Sequence, residues 1–254
     1  MSRRRPAALA ALAAILTAGC SSLTGLADVR TVAAADCTYP DGVMLIIGAH
    51  RDVPAPVLSP AQDPRVACLV TAAIRDGNPV WIVVAAGQPQ LIRPKLVTGT
   101  GSLAQQNSRW LSQDLKRVEA AVAAARPDSA GADDLAALAV AADAARAAGA
   151  PRAWLVLLDS GLDDRGALDF AVPGVLAAVP AEVADQLRRD GDLPHLRGFT
   201  VVLAGLGYTS PPQVLPSARW RGNITAISAA VMTAAGAWGG GHPGAGTGPV
   251  RPDR

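Results

Sequence analysis

Ala153-Trp154-Leu155-Val156-Leu157-Leu158 runs apolar without a break and stops at Asp159-Ser160-Gly161. A strand with one wet face alternates apolar and polar residues, because successive side chains point to opposite faces. An unbroken run instead predicts a strand covered on both faces, the habit of parallel sheets. Val43-Met44-Leu45-Ile46-Ile47, Val80-Trp81-Ile82-Val83-Val84 and Phe199-Thr200-Val201-Val202-Leu203-Ala204 repeat the pattern.

Helical spacing fills the intervals between these runs. Val66, Leu69, Val70, Ala73 and Ile74 recur on one face of Pro64 to Asp76, with Asp63 placed to cap and Pro64 at the first helical position. Gly77-Asn78 ends that helix. A long helix through Leu111, Leu115, Val118 and Val122 is predicted to start at a Ser102 cap, and Pro127 to Gly131 breaks it. Asp133 to Ala148, Ala181 to Arg189 and Arg219 to Ala237 are the remaining helices. Leu168-Asp169-Phe170 is expected to form a short edge strand. Strands alternating with helices imply an α/β fold, Rossmann-like, with a mostly parallel sheet and helices on both faces. Such folds bind ligands beyond the carboxyl ends of the strands. Here those ends are Gly48 to Asp52, Ala85 to Gln88, Asp159 to Asp164 and Gly205 to Thr209.

The amino terminus carries a different message. Arg3, Arg4 and Arg5 precede an apolar run from Pro6 to Leu16, which has the layout of a secretory signal peptide. The run is short of the roughly 20 residues that span a bilayer. Leu16-Thr17-Ala18-Gly19-Cys20 resembles the lipobox of bacterial lipoproteins. That resemblance implies cleavage after residue 19, acylation of Cys20, and a chain anchored to the cell membrane on its extracytoplasmic face. With Cys20 given to lipid, Cys37 and Cys68 are left as a candidate disulfide in an oxidising compartment, or as two separate buried thiols. Residues 20–40 are expected to be a lipidated tether, 41–238 a single α/β domain, and 239–254 a disordered Gly/Pro tail.

Composition narrows the partners. The formal net charge is +2, and three of the arginines sit in the signal peptide, so the remainder is near neutral. That excludes the basic surface of a non-specific nucleic-acid binder. Hydrophobic residues make up 50% and aromatics only 4%, so Ala, Val, Leu and Ile must build the core. There is no C-x-x-C, and His50, His195 and His242 are far apart in sequence. No cofactor is implied. Ser160 lies in Asp-Ser-Gly rather than in a G-x-S-x-G elbow, Gly205-Leu206-Gly207 lacks the third glycine of a dinucleotide fingerprint, and no P-loop lysine is present.

Leu157-Leu158-Asp159-Ser160-Gly161-Leu162-Asp163-Asp164 resembles the end of the corresponding strand in von Willebrand factor A domains. Gly131-Ala132-Asp133-Asp134-Leu135 is similar to the loop and helix before it. The block from Leu158 to Gly207 is also similar to the region upstream of the OmpA-like domain in some actinobacterial exported proteins. The resemblance spans roughly residues 42 to 238 and implies a three-layer sandwich. Its adhesion-site motif, D-x-S-x-S after the first strand, is replaced here by Gly48-Ala49-His50-Arg51-Asp52. No metal is therefore expected: one carboxylate and one hydroxyl would hold Mg²⁺ poorly. The pairs Asp133-Asp134 and Asp163-Asp164 suggest either cation binding or helix capping and solvated loop charge, and the second, simpler reading is the expected one. His50 and Arg51 are candidates to bind an anion or to lie in an exposed loop, and Asp159 and Ser160 complete the candidate ligand-binding set. The expectation is a non-catalytic binding or scaffolding module of the cell envelope, with a protein or cell-wall partner. The alternative is an exported hydrolase using Asp159, Ser160 and His50 at the sheet edge. A solute-binding lipoprotein would need a second lobe that this length does not provide.

Overall fold

A computed structural model describes residues 41–48, 63–97, 104–127, 130–209 and 215–237. The expected signal peptide, the expected tether with Cys20 and Cys37, His50, Arg51, the expected Ser102 cap and the expected Gly/Pro tail lie outside the described residues. In chain order the elements are β1 (Val43–Ile47), α1 (Pro64–Arg75), β2 (Val80–Val84), β3 (Gln90–Ile92), α2 (Ala104–Ala124), α3 (Asp134–Ala147), β4 (Trp154–Leu158), a 3₁₀ turn (Val175–Ala177), α4 (Pro180–Asp190), β5 (Thr200–Ala204) and α5 (Ala218–Ala234).

The strands form one five-stranded sheet in the order β3-β2-β1-β4-β5. β1 runs parallel to β2 and to β4, pairing Leu45 with Ile82 on one side and with Val156 on the other. β4 runs parallel to β5, and only β3 is antiparallel. The fold is thus α/β with a mostly parallel sheet.

Each apolar run divides its residues between two cores, which is why the runs are unbroken. Met44, Ile46, Leu155, Leu157, Val201 and Leu203 face α3, α4 and α5, where Leu138, Leu187, Ile224 and Val231 meet them. Val43, Leu45, Ile47, Val156 and Leu158 face the other way, against Val66, Leu69 and Val70 of α1 and Val118 and Val122 of α2. Helices therefore cover both faces, giving three layers. On α3 Leu138, Ala141 and Ala145 form a fully buried stripe, and the small alanines let the helix lie against β1, β2, β3 and β4.

Local chemistry sets the helix ends. The Asp63 carboxylate accepts from the Arg65 and Val66 amides at 2.8 and 3.2 Å, and Pro64 occupies the first turn. Asp133 caps α3 by accepting from the Ala136 amide at 2.9 Å. Ser217 caps α5 through the Trp220 amide at 3.3 Å. Cys68 lies buried on α1 and is disulfide-bonded; its partner falls outside the described residues, as do both Cys20 and Cys37.

Two expectations need correction. The interval after β2 contains a strand, β3, which pairs Ile92 with Ile82 and Gln90 with Val84. It is only three half-buried residues between Pro89 and Pro94, too short and too exposed to read as an apolar run. Leu168-Asp169-Phe170 is not a strand. Leu168 and Phe170 instead join the core on the α3, α4 and α5 side of the sheet, and the Phe170 amide donates to the Asp163 carbonyl at 2.8 Å.

Removing the first cap isolates its worth: Asp63→Ala should lower the unfolding free energy by about 1 kcal/mol in urea titrations. Ala141→Leu should cost about 1–3 kcal/mol, because α3 has no space to receive the extra carbons.

Candidate functional site

β1 and β4 are neighbours, yet the chain leaves them in opposite directions. β1 connects through α1 to β2, and β4 connects through α4 to β5. The crevice beyond their carboxyl ends is the topological switch point, the usual ligand position in open α/β sheets. Gly48 ends β1 there, its amide donating to the Leu158 carbonyl at 3.2 Å. Asp159 ends β4 and folds over Gly48. A Cβ on residue 48 would stand 2.2 Å from the Asp159 carboxyl carbon, so the close approach requires glycine.

Asp159 and Ser160 are both buried. One Asp159 oxygen, Oδ1, accepts from the Ser160 amide, while Oδ2 has no hydrogen-bond partner. The Ser160 hydroxyl accepts from the Leu162 amide at 3.3 Å, and its carbonyl accepts from the Gly207 amide at 2.7 Å. Ser160 thus ties the β4 loop to the β5 loop, and its hydroxyl is turned into a local bend.

The loop after β4 is clasped to the start of α3. The Asp164 carboxylate accepts from the Ala132 amide at 2.7 Å, and the Arg165 amide donates to the Ala132 carbonyl at 3.1 Å. Asp163 accepts from the Asp134 amide at 3.1 Å. The aliphatic part of Arg165 lies over Gly131, where a Cβ would come within 2.4 Å of it. Gly166 lies equally close to the Asp133 carboxylate.

This clasp revises the reading of the acid pairs. Asp133 does cap and Asp164 is exposed, but Asp134 and Asp163 are only 5% and 2% exposed. Burial holds the Asp134 carboxyl well above the ordinary carboxylate range, and the charges of Asp163 and Asp159 push it further. Burial and the Asp159 charge do the same to Asp163, opposed by the bond from the Asp134 amide. Asp133 is raised more modestly, by burial, against the lowering effect of its capping bonds. The described side of the switch point is therefore acidic. It suits a proton or a positively charged group and repels anions. Among the described residues no group of three or more His, Cys, Asp and Glu has an arrangement that could hold a metal ion.

Of the residues singled out in the sequence, the structure brings Asp159 and Ser160 together at the switch point. His50 and Arg51 are outside the described residues. His195 is exposed and precedes β5, at the opposite end of the sheet, where its carbonyl accepts from Arg146. Sequence reasoning missed Asp134 and Asp163. The signal for Asp134 is its spacing: Asp134, Leu138, Ala141 and Ala145 share one helical face, and that face is the buried one. Gly48→Ala should displace Asp159 and lower stability by about 1–3 kcal/mol, as overpacking does; thermal unfolding beside the wild type measures it.

No family model, no curated protein and no solved structure matches this chain.

Proposed function

We propose that the chain is an extracytoplasmic lipoprotein, anchored to the cell membrane through Cys20. Its α/β domain, similar to von Willebrand factor A domains, acts as a non-catalytic binding or scaffolding module of the cell envelope. The observation that carries this reading is the sequence Leu16-Thr17-Ala18-Gly19-Cys20 behind a basic and apolar leader. No helix among the described residues is long and apolar enough to cross a membrane. A lipid on Cys20 would then supply the attachment, and stable anchoring takes more than one acyl chain.

The geometry of the switch point supports binding over hydrolysis. A serine nucleophile must present its hydroxyl to a substrate and to a base. The Ser160 hydroxyl is instead buried and engaged with the Leu162 amide. Asp159 is likewise buried, against Gly48. These groups hold loops in register, and a partner would meet the outer surface they shape.

Cys20→Ser tests the anchor. The wild-type chain should take up labelled palmitate and sediment with membranes; the variant should lose the label and move to the soluble exported fraction. Unchanged labelling and unchanged sedimentation would overturn the lipoprotein reading. For the scaffold reading, Ser160→Ala should remove only one bond of the loop, costing about 1 kcal/mol. Its capture of crosslinked envelope partners should match the wild type.

A further inference from the structure

We propose that Asp134 and Asp159 share a single proton, and that this proton fastens the loop after β4 to the first turn of α3 as a pH-sensitive clasp. The inference stands apart from the lipoprotein reading and would hold in any compartment.

The geometry leads to it directly. Among the described residues, the buried side-chain polar atoms without a hydrogen-bond partner are Asp134 Oδ1 and Asp159 Oδ2. Two orphaned oxygens on separate buried carboxyls call for an explanation. The Asp159 side chain favours the protonated form of Asp134, through its charge and through a hydrogen bond. Two carboxylates cannot bond to each other, since both only accept. One proton resolves both orphans: protonated Asp134 donates from Oδ1 and Asp159 Oδ2 accepts. Asp159 Oδ1 is meanwhile held by the Ser160 amide.

The surroundings favour the protonated form. From α3 the neighbouring charge is Asp133, and from the β4 loop it is Asp163, with Asp164 close by. The charges acting on Asp134 from the described residues are all carboxylates. The Arg165 side chain lies over Gly131, and Arg221 of α5 lies against Gly207 with its Nη1 donated to the Pro216 carbonyl at 2.6 Å. β1 contributes only Gly48 at this point, and His50, Arg51 and Asp52 follow it outside the described residues. Burial raises Asp134 in the folded chain, in agreement with a retained proton.

The sign of the pH effect follows. The folded state holds a proton that the unfolded chain releases near 3.8, the ordinary value for Asp. The stabilisation is complete below that pH and is lost as pH rises through the folded value. Over that window the unfolding constant grows by up to about tenfold per pH unit for each such proton. Above it, charges on Asp134, Asp159 and Asp163 repel one another across the clasp.

The test uses the whole chain purified in detergent, with urea unfolding followed from acid to alkaline pH. Asp134→Asn keeps a donor toward Asp159 and removes the titration. The unfolding constant of the wild type relative to this variant should climb with pH, by up to about tenfold per unit. Parallel profiles would overturn the proposal. If the alkaline loss persists in Asp134→Asn and vanishes in Asp163→Asn, the proton belongs to Asp163 and the shared pair is wrong. If Mg²⁺ or Ca²⁺ restores wild-type stability at alkaline pH and leaves Asp134→Asn unchanged, a cation occupies the cluster and the proton does not. Carboxyl-carbon NMR of the ¹³C-Asp-labelled wild type needs no variant to fold. An Asp carboxyl that stays protonated well above the ordinary Asp range, and is absent from Asp134→Asn where that variant folds, supports the clasp; ionisation of every Asp within the ordinary range overturns it.

Discussion

Asp159 fits where it does because residue 48 has no side chain. The carboxyl group lies across the end of the neighbouring strand, in the volume that a Cβ on Gly48 would fill. From this approach the rest of the switch point is organised. Asp159 binds its own next amide, Ser160 bridges to Gly207, and the loop through Asp163 and Asp164 is drawn onto the start of α3. Each tie uses a backbone amide or carbonyl, so the arrangement depends on chain path more than on the identity of most side chains. The carboxyls are the exception. Asp134 and Asp163 sit where burial opposes their charge; neighbouring carboxylates add to that opposition, and at Asp163 the Asp134 amide partly relieves it.

The central sheet was open to reading because its physics is simple. A strand buried on both faces has no reason to alternate, and Val43–Ile47 and Val80–Val84 have the strand bounds their apolar runs indicate. Asp63 with Pro64 marked a helix start by chemistry that acts within one turn. β3 escaped because an edge strand of three residues needs few apolar side chains and gains its place from pairing with β2. Leu168 and Phe170 misled for the complementary reason. Two apolar residues flanking a polar one look like a strand, but they serve as a plug whose depth is set by the fold.

The site was legible in part. Asp159 and Ser160 follow a strand whose end could be located, and the general rule for α/β sheets then makes them neighbours of the crevice. Asp134 was hidden by its own neighbour. Asp133 accounts for the cap, and a second acid in a first turn reads as a favourable charge near the helix dipole. Only the register of Leu138, Ala141 and Ala145 shows that Asp134 faces inward. The partner of Asp134 lies about two dozen residues away along the chain, and no local pattern connects them.

The alanine stripe of α3 has an entropic side. Ala137, Ala141 and Ala145 have no rotamers to lose when they are buried, and alanine is the residue that the helix favours most. Longer side chains would bury more area at this position, but they would also surrender conformational freedom. A helix built this way resists unwinding from within. Strain placed at its first turn, where Asp134 is held among other acids, is therefore transmitted to the helix as a body and is less readily absorbed by local fraying. The helix lies against four strands of the sheet. A change of charge at one end of α3 would thus be felt along the length of the layer that it forms.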